Sequence, residues 1–326
     1  MKTRRFFFAG TLALALILSA FGGYLAAKEK FPTKPIQVVI GFQPGDTDNL
    51  LRPFTEKMPE HLGQPVVFQY KPGASGTLGA ALVASAKPDG YTLLANTVAL
   101  LTIHPHTRDD VSYSLQSFVP ISAVVEVFAV ISTQKNAPWK NLAELVADAK
   151  KSPGKISYST PGTFSLPHLL TEAFCDEAGI QLTHIPSQGS GPAVTATLGG
   201  HVNLGITALA PAFPHLMADS LRPLAVMSEK RVPALPNVPT MLEAGYSTSS
   251  TAGYYGFVAP RGTPQEVVEK IYSATKKVAE GHKETIVDRL SKFGALLSFK
   301  GPEEYMAILK KQNEIFGNLI RKIKSK

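Results

Sequence analysis

One pattern constrains the fold of this chain more than any other: an apolar run, then a polar loop with glycine, then a stretch with helical spacing. Its first copy begins with the apolar run at residues 36–40, which predicts a buried strand. Pro44 and Gly45 end that strand, and residues 46–48 are of the types that start helices. Apolar residues then recur at helical spacing, at Leu50, Leu51, Phe54 and Met58. The segment therefore predicts a strand, a tight loop and a helix N-terminus.

A loop of this kind can bind an anion. The first turn of a helix leaves backbone N–H groups without intrahelical partners, and the helix dipole places positive potential behind them. A carboxylate can bind there without any catalytic side chain. An ordinary capped turn that binds nothing is the commoner outcome for such residues, so both interpretations stay open at this point.

The same pattern repeats along the chain and predicts α/β structure. Strands are predicted at residues 65–70 and 91–95, with a glycine-rich loop at residues 71–79 between them. A second series of strands and helices follows at residues 141–207. This alternation is typical of parallel sheets covered by helices. The loop at residues 71–79 lacks the lysine and the spacing of a P-loop, and no G-x-G-x-x-G motif occurs, so a nucleotide-binding fold is not indicated.

The length of 326 residues suggests two domains of ordinary size. A long β-rich segment at residues 119–132 and a strand at residues 221–228 can carry the chain from one lobe to the other and back. We expect the first lobe to hold residues 28–125 and 226–326, and the second lobe to hold residues 126–225. Two lobes joined in this way close around a ligand by hinge motion.

Four glycine-containing or polar loops follow predicted strands, at Gly45, Asn96, Gly162 and Gly189. Ligands of open α/β sheets bind outside the carboxyl ends of the strands, which is where such loops lie. Their recurrence at equivalent positions predicts a ligand site between the lobes.

The first 27 residues predict an export signal. A basic start is followed by an apolar core over residues 6–20 and then by small residues. The apolar run over residues 6–27 is also long enough to cross a bilayer, so an uncleaved anchor is the alternative. We expect a periplasmic protein.

Charge and cysteine content exclude several classes of site. The net charge of +8 falls to +5 without the three basic residues of the leader, and the remaining basic residues are dispersed. No aromatic residues are interleaved with them, so a nucleic-acid partner is not indicated. Cys175 is the only cysteine, which excludes an internal disulfide. His104 and His106 lack neighbouring cysteine or carboxylate ligands, so we expect no metal site.

Several segments match one known family in order and spacing. They lie at residues 42–48 with Arg52, 63–67, 71–76, 87–94, 158–162 with His168, 189–193, 198–202, 224–226, 231, 235–240, 243–245 and 259–264. Together they resemble the substrate-binding proteins of tripartite tricarboxylate transporters, also called the Bug or TctC family. The first segment is similar to that family's F-P-A-G-G-x-x-D-x-x-A-R loop, and residues 158–162 with His168 are similar to its Y-x-S-x-G-x-G-x-x-x-H-L loop. The likeness covers essentially everything after residue 30.

This resemblance implies a two-lobed periplasmic-binding-protein fold of the Venus flytrap kind, type II-like, with mixed sheets flanked by helices. It implies a monomer without cofactor or catalytic residues, which captures a small organic carboxylate and delivers it to membrane transporter subunits. The ligand-binding residues carried over from the family are Phe42, Pro44, Gly45, Asp46, Thr47, Asp48, Asn96 and Thr97 on one wall, and Thr163, Ser165, His168, Gln188, Gly189, Ser190 and Ala208 on the other.

The chain departs from the family pattern at positions near the expected ligand. Asp46 replaces a glycine, which adds a carboxylate that would repel a polyanion. Gln188 replaces a lysine, which removes a cation that could face an acid, and Phe164 replaces another glycine. Asn203 replaces an aspartate. We therefore predict a monocarboxylate, an aromatic or a zwitterionic ligand rather than a tricarboxylate.

Two alternatives to transport remain. Ser165 and His168 lie three residues apart at a predicted helix start, so a secreted α/β hydrolase could use them as nucleophile and base. No G-x-S-x-G motif and no acid that would orient the imidazole accompany them. A receptor that presents the loaded cleft to a membrane signalling partner is the second alternative.

Overall fold

The computed structural model describes residues 31–247 and 251–325. The predicted export signal, residues 1–27, lies outside the described residues. Within the described ranges, no helix combines the length and the apolar character needed to cross a membrane.

The described residues form eleven strands and twelve α-helices. The strands are β1 (Ile36–Ile40), β2 (Val66–Tyr70), β3 (Thr92–Asn96), β4 (Phe118–Val127), β5 (Ala129–Gln134), β6 (Ser157–Thr160), β7 (Thr183–Pro186), β8 (Leu204–Ala208), β9 (Leu221–Met227), β10 (Gly253–Pro260) and β11 (Leu296–Lys300). The helices are α1 (Asp46–Thr55), α2 (Pro59–Leu62), α3 (Thr77–Ala84), α4 (Val98–Thr102), α5 (His104–Thr107), α6 (Leu142–Lys151), α7 (Leu166–Ala178), α8 (Ser190–Leu198), α9 (Leu209–Met217), α10 (Gln265–Gly281), α11 (Lys283–Ser291) and α12 (Pro302–Lys324).

The strands form two mixed sheets. The first has the order β11-β4-β10-β3-β1-β2, and the second has the order β7-β6-β8-β5-β9. In the first sheet β1 is parallel to β2 and β3, whereas β10 runs antiparallel to β3 and β4. In the second sheet β6 is parallel to β7 and β8, whereas β5 runs antiparallel to β8 and β9. The predicted class, α/β with mixed sheets flanked by helices, is confirmed.

The chain passes between the sheets at two places. Strands β4 and β5 belong to different sheets and are separated only by Phe128, so the long β-rich segment crosses as predicted. The return lies between Met227 and Gly253, because β9 pairs with β5 in the second sheet and β10 belongs to the first. These two crossings place the strand ends of both sheets around one space.

The inner strands, such as β3 and β5, are buried along most of their length because helices cover both faces of each sheet, whereas the edge strands β7 and β11 are exposed or half-buried. Four clusters of buried side chains fill the spaces between sheets and helices. Helix α12 contributes Tyr305 and Leu309 to a cluster of the first sheet, and Phe316 and Ile320 to a cluster of the second. The helix therefore packs against both lobes. The lobe boundaries at residues 125–126 and 225–226 remain a prediction.

Candidate functional site

A cavity of about 350 Å³ lies between the two sheets. Residues that pack with both sheets and residues of the first crossing line it, among them Phe42 after β1 and Pro161 after β6. Phe128, at which the chain crosses between the sheets, also lines it. The volume is within the usual range of about 300–1,000 Å³ for sites that bind small molecules. This is the position at which the sequence predicted a ligand site.

Three helices of nine or more residues begin at this cavity. Helix α1 presents Asp46 and Thr47, α7 presents its N-cap Ser165, and α9 presents its N-cap Ala208. The first N–H groups of a helix have no intrahelical acceptor, and the aligned peptide dipoles add a partial positive charge. One of these helices belongs to the first lobe and two belong to the second, so both walls attract an anion.

The cavity obtains this positive potential from backbone rather than from side chains. Among the described residues no lysine, arginine or histidine side chain lines it. Thr47 and Thr97 supply buried hydroxyl groups, and Tyr255 supplies a phenol. Most of the remaining wall is aliphatic or aromatic, with Val98, Val127 and Leu166 as examples. The arrangement suits a molecule with one anionic end and an apolar body.

Asp48 holds the first loop in shape. Its carboxylate is buried and accepts hydrogen bonds from the Gly45 N–H, from the Arg52 guanidinium at 2.8 Å and from the Tyr70 hydroxyl at 3.0 Å. Burial opposes ionisation of this carboxyl, but the three donors together outweigh burial and lower the pKa of Asp48. Asp48 therefore fixes the helix start beside the cavity, and its own side chain is already occupied.

Asp46 is the one acidic side chain at the cavity among the described residues. Its side chain is exposed at the cavity mouth, where the surrounding walls displace water. This loss of hydration, with the nearby Asp48 carboxylate as the second cause, raises the pKa of Asp46. Loss of hydration and the Asp46 charge likewise raise the pKa of Tyr255. Both groups therefore lose their protons less readily than they would in free solution.

Ser165 caps helix α7 instead of pairing with the histidine ring. Its Oγ accepts the backbone N–H of His168 at 3.4 Å, and the His168 ring accepts the Phe164 N–H at Nδ1 over 3.2 Å. The structure shows no hydrogen bond between Ser165 Oγ and the ring. Phe164 itself has φ +59°, the left-handed conformation that glycine adopts at little cost. A glycine would adopt this backbone conformation with less strain than Phe164 does. The hydrogen bond from the Phe164 N–H to the His168 ring helps to stabilise Phe164 in this conformation.

A stack of rings supports this loop from behind. His168 stacks on His184 with ring centroids 4.1 Å apart, and His184 stacks on Tyr158 at 4.9 Å. The His184 ring also contacts Thr160 Oγ1 at 2.8 Å, and Glu172 accepts a hydrogen bond from the Tyr158 hydroxyl. Burial, with a smaller contribution from His168, lowers the pKa of His184 to about 4.

The lowered pKa of His184 predicts a loss of stability in mild acid. As the pH falls, the unfolded chain binds a proton at its ordinary pKa of about 6.5, while folded His184 does not, so the free energy of unfolding falls below that pH. By about pH 5, we expect the free energy of unfolding to have fallen by about 2 kcal/mol through His184. Urea titrations at about pH 7.5 and pH 5 measure it.

The variant His184→Gln is expected to show a flatter dependence of stability on pH over that range. His201 is exposed, so His201→Gln is the matched control. Equal pH dependence in the wild type and in His184→Gln would contradict this account of the ring stack.

The structure brings six of the sequence-predicted ligand residues to the cavity wall: Phe42, Asp46, Thr47, Thr97, Ser165 and Ala208. The others do not line it. Asn96 is fully buried and donates to the Tyr305 hydroxyl at 2.7 Å, and His168 lies behind the loop. The remaining seven lie near the helix starts of either wall without lining the cavity, and their contact with ligand stays a prediction: Pro44, Gly45, Asp48, Thr163, Gln188, Gly189 and Ser190.

Sequence reasoning missed several lining residues. Tyr255 lies on β10, and Val127 and Ala129 flank the first crossing. No local motif marks them, because they reach the cavity through strand pairing over more than a hundred residues, as in the Tyr255–Val125 pair. The available signal was the length of the β-rich segment, which predicted the crossing but not which side chains face the cavity.

The chain matches one family over most of its length. Residues 50–324 match the model of the tripartite tricarboxylate transporter family receptor. Protein BugT of Bordetella pertussis is 30% identical over 320 residues, which cover 97% of this chain and 98% of that protein.

Solved structures show the same similarity. An R. palustris protein solved with adipate is 29% identical, with a TM-score of 0.77 over 89% of this chain and 97% of that one. MatC of Rhodopseudomonas palustris, solved with bound malate, is 26% identical, with a TM-score of 0.74 over 89% of this chain and 100% of that one.

Proposed function

Because this chain belongs to the tripartite tricarboxylate transporter receptor family, we propose that it captures a small organic carboxylate between its lobes outside the cytoplasmic membrane and delivers it to transporter subunits. One observation carries the proposal. Three helix N-termini from two lobes converge on a cavity of about 350 Å³ whose described lining has no basic side chain. Such a site attracts an anion through backbone donors and needs no catalytic side chain to hold it.

The geometry supports a simple binding cycle. The carboxylate accepts hydrogen bonds from backbone N–H groups at the start of α1 and from the Leu166 N–H at the start of α7, and the hydroxyls of Thr47 and Thr97 add donors on the first wall. The two crossings at Phe128 and after Met227 act as the hinge, because they are the only strand connections between the sheets among the described residues. Closure buries the ligand, and opening at the membrane partner releases it unchanged.

The cavity supports a ligand with a single carboxylate. Its positive potential comes from partial charges at helix ends, and its one acidic side chain, Asp46, lies at the mouth. A second or third carboxylate near Asp46 would be repelled, whereas an ammonium group there would be attracted. The relatives described above were solved with dicarboxylates, adipate and malate. We propose that this chain instead prefers a monocarboxylate with an apolar or aromatic body, or a zwitterion.

Asp46→Asn tests this preference. For a simple monocarboxylate we expect the affinity at neutral pH to rise about fivefold, because about 1 kcal/mol of repulsion is removed. In the wild type the affinity should rise as the pH falls, because protonation of Asp46, whose pKa is already raised, removes the same repulsion. The variant should lose that pH dependence. Isothermal titration calorimetry with a strongly acidic ligand, which stays ionised over the range, measures both effects.

The exposed Asp109 lies outside the cavity, so Asp109→Asn is the matched control. An Asp46→Asn variant that binds a simple monocarboxylate more weakly than the wild type would contradict a repulsive role for Asp46.

A hydrolase that uses Ser165 and His168 is less well supported. Ser165 Oγ accepts a backbone N–H, and the His168 ring accepts another, so the pair is arranged as a helix cap and not as nucleophile and base. A panel of organic acids should raise the melting temperature through binding, with a stabilisation of about 2.7 kcal/mol at a hundredfold excess over the dissociation constant. Chromatography should recover each acid unchanged. Product formation that Ser165→Ala abolishes would overturn the transport proposal.

A further inference from the structure

Four polar side chains on the wall of the cavity between the sheets find no partner among the described residues. Thr47 and Thr97 are only 6% and 5% exposed, yet neither hydroxyl forms a hydrogen bond within these ranges. The half-buried Tyr255 hydroxyl and the exposed Asp46 carboxylate likewise have no hydrogen-bond or ion-pair partner there. The unpaired side-chain oxygens that are enclosed in the described core belong to other residues: Asn96, Ser122 and Gln312. The four oxygens at the cavity are therefore accessible to a ligand.

The two acidic residues at the start of α1 differ in this respect. Asp48 is buried, and its carboxylate accepts hydrogen bonds from the Gly45 N–H, the Arg52 guanidinium and the Tyr70 hydroxyl. Asp48 also supplies the negative charge that the first turn of a helix favours. Asp46 has no such structural partner among the described residues, so its carboxylate is free to pair with a cationic group of the ligand.

The start of α1 offers both signs of charge within one turn. Asp46 is the only charged side chain on the described lining of the cavity. The first N–H groups of the same helix attract a carboxylate, and the Thr47 N–H follows Asp46 directly in the chain. A bare carboxylate bound there is repelled by Asp46, whereas a ligand with an ammonium group beside its carboxylate is attracted by both.

Tyr255 offers a second acceptor for an ammonium group. Its hydroxyl lies near the Asp46 carboxylate, because the Asp46 charge contributes to the raised pKa of Tyr255. No hydrogen bond joins the two groups, although both line the cavity. An ammonium group donates up to three hydrogen bonds, so one such group can donate to the Asp46 carboxylate and to the Tyr255 oxygen together.

The remaining wall determines which side chain the ligand carries. Val98, Val127 and Leu166 supply aliphatic surface, and Phe42 and Phe128 supply aromatic rings. No lysine, arginine or histidine side chain of the described residues lines the cavity, so a second carboxylate on the ligand would have no counter-ion. A second ammonium group would lie against the apolar wall, where burial of an unpaired charge is costly. The wall therefore suits an apolar side chain.

Given the proposed capture of a carboxylate in this cavity, on which this inference rests, we propose that the ligand is an α-amino acid with an apolar side chain. Its carboxylate accepts hydrogen bonds from N–H groups at the start of α1, from the Leu166 N–H and from the two threonine hydroxyls. Its ammonium group donates to Asp46 and Tyr255, and its side chain packs against Val127 and the other apolar residues of the wall.

Calorimetric titration with two matched pairs of ligands tests this proposal. Leucine is compared with 4-methylpentanoate, and phenylalanine with 3-phenylpropanoate, so each pair shares its carboxylate and its side chain. We expect each amino acid to bind about twentyfold more tightly than its deaminated partner at neutral pH, because attraction by Asp46 replaces repulsion.

Asp46→Asn should change the two kinds of ligand in opposite directions. We expect it to weaken binding of the amino acids about fivefold and to strengthen binding of the deaminated acids about fivefold. A merely structural effect of the substitution would move all four affinities in the same direction. Asp109→Asn, outside the cavity, is the control and should move none of them.

A comparison of 6-aminohexanoate with hexanoate tests where the ammonium group binds. The amine of 6-aminohexanoate lies far from its carboxylate, so we expect it to bind no more tightly than hexanoate. Tighter binding of 6-aminohexanoate would place the cation away from Asp46 and overturn the proposal.

Failure of this proposal is distinguishable from failure of the proposed function. Deaminated acids that bind as tightly as their amino acids would overturn the amino-acid ligand and leave the capture of a carboxylate intact. Absence of binding by all of these acids, and also by adipate and malate, would overturn both.

Discussion

Ser165→Asp is expected to weaken carboxylate binding strongly while leaving the protein folded. Aspartate caps a helix as well as serine does, so the start of α7 should keep its cap to the His168 N–H. The new carboxylate, however, faces the cavity in which the ligand's carboxylate binds. At a separation of about 5 Å and an effective dielectric constant of about 20, the repulsion is on the order of 3 kcal/mol. Calorimetry should show an affinity loss of roughly a hundredfold or more.

Ser165→Asn is the matched control for this experiment. Asparagine is also a good N-cap, has nearly the size of aspartate and carries no charge. We expect it to lower affinity far less than aspartate does, with similar melting temperatures for both variants. Equal affinities for the two variants would mean that the ligand's charge lies away from α7, contrary to the proposed site.

Asp48→Ala is expected to cost about 2 to 3 kcal/mol of stability and to weaken ligand binding. The substitution leaves the Gly45 N–H and the Tyr70 hydroxyl without their acceptor and removes the ion pair to Arg52. The Arg52 side chain is 38% exposed and can be rehydrated, which keeps the loss below that of a fully buried pair. Urea denaturation measures the change in the free energy of unfolding.

The Arg108–Asp110 ion pair provides the comparison for Asp48. Its N–O distance is 2.7 Å, similar to that of Arg52–Asp48, but the Asp110 side chain is 65% exposed. Asp110→Ala should therefore change stability by less than about 1 kcal/mol. If Asp48→Ala lowered the free energy of unfolding no more than Asp110→Ala does, that result would contradict the structural role assigned to the Asp48 carboxylate.

Local residue types were enough to predict the strand, loop and helix start beside the cavity, although its role as a ligand wall came only from the family resemblance. Pro44 and Gly45 end β1, and the capping types at residues 46–48 start α1, so the position of that helix start follows from a dozen neighbouring residues. Ser165 was predicted at the second wall through its place in a family loop, and the structure shows it as the cap of α7. Helix starts are set by short-range hydrogen bonds, which is why sequence located them.

Side-chain direction and long-range pairing could not be predicted in this way. Asn96 is the last residue of β3, and its amide donates to the Tyr305 hydroxyl, which is 209 residues away in sequence. Helix α12 packs against both lobes, and this packing depends on how the lobes are placed. Tyr255 reaches the cavity only because β10 inserts between β3 and β4. These features depend on contacts that no local pattern encodes.

The position of the ligand's carboxylate in a crystal structure of the liganded protein tests the central claim most directly. We expect the carboxylate oxygens within hydrogen-bonding distance of backbone N–H groups at the starts of α1 and α7, with the body of an unchanged acid against Val127 and Tyr255. An acid bound elsewhere with this cavity unoccupied, or a ligand that has been chemically altered in it, would contradict the account.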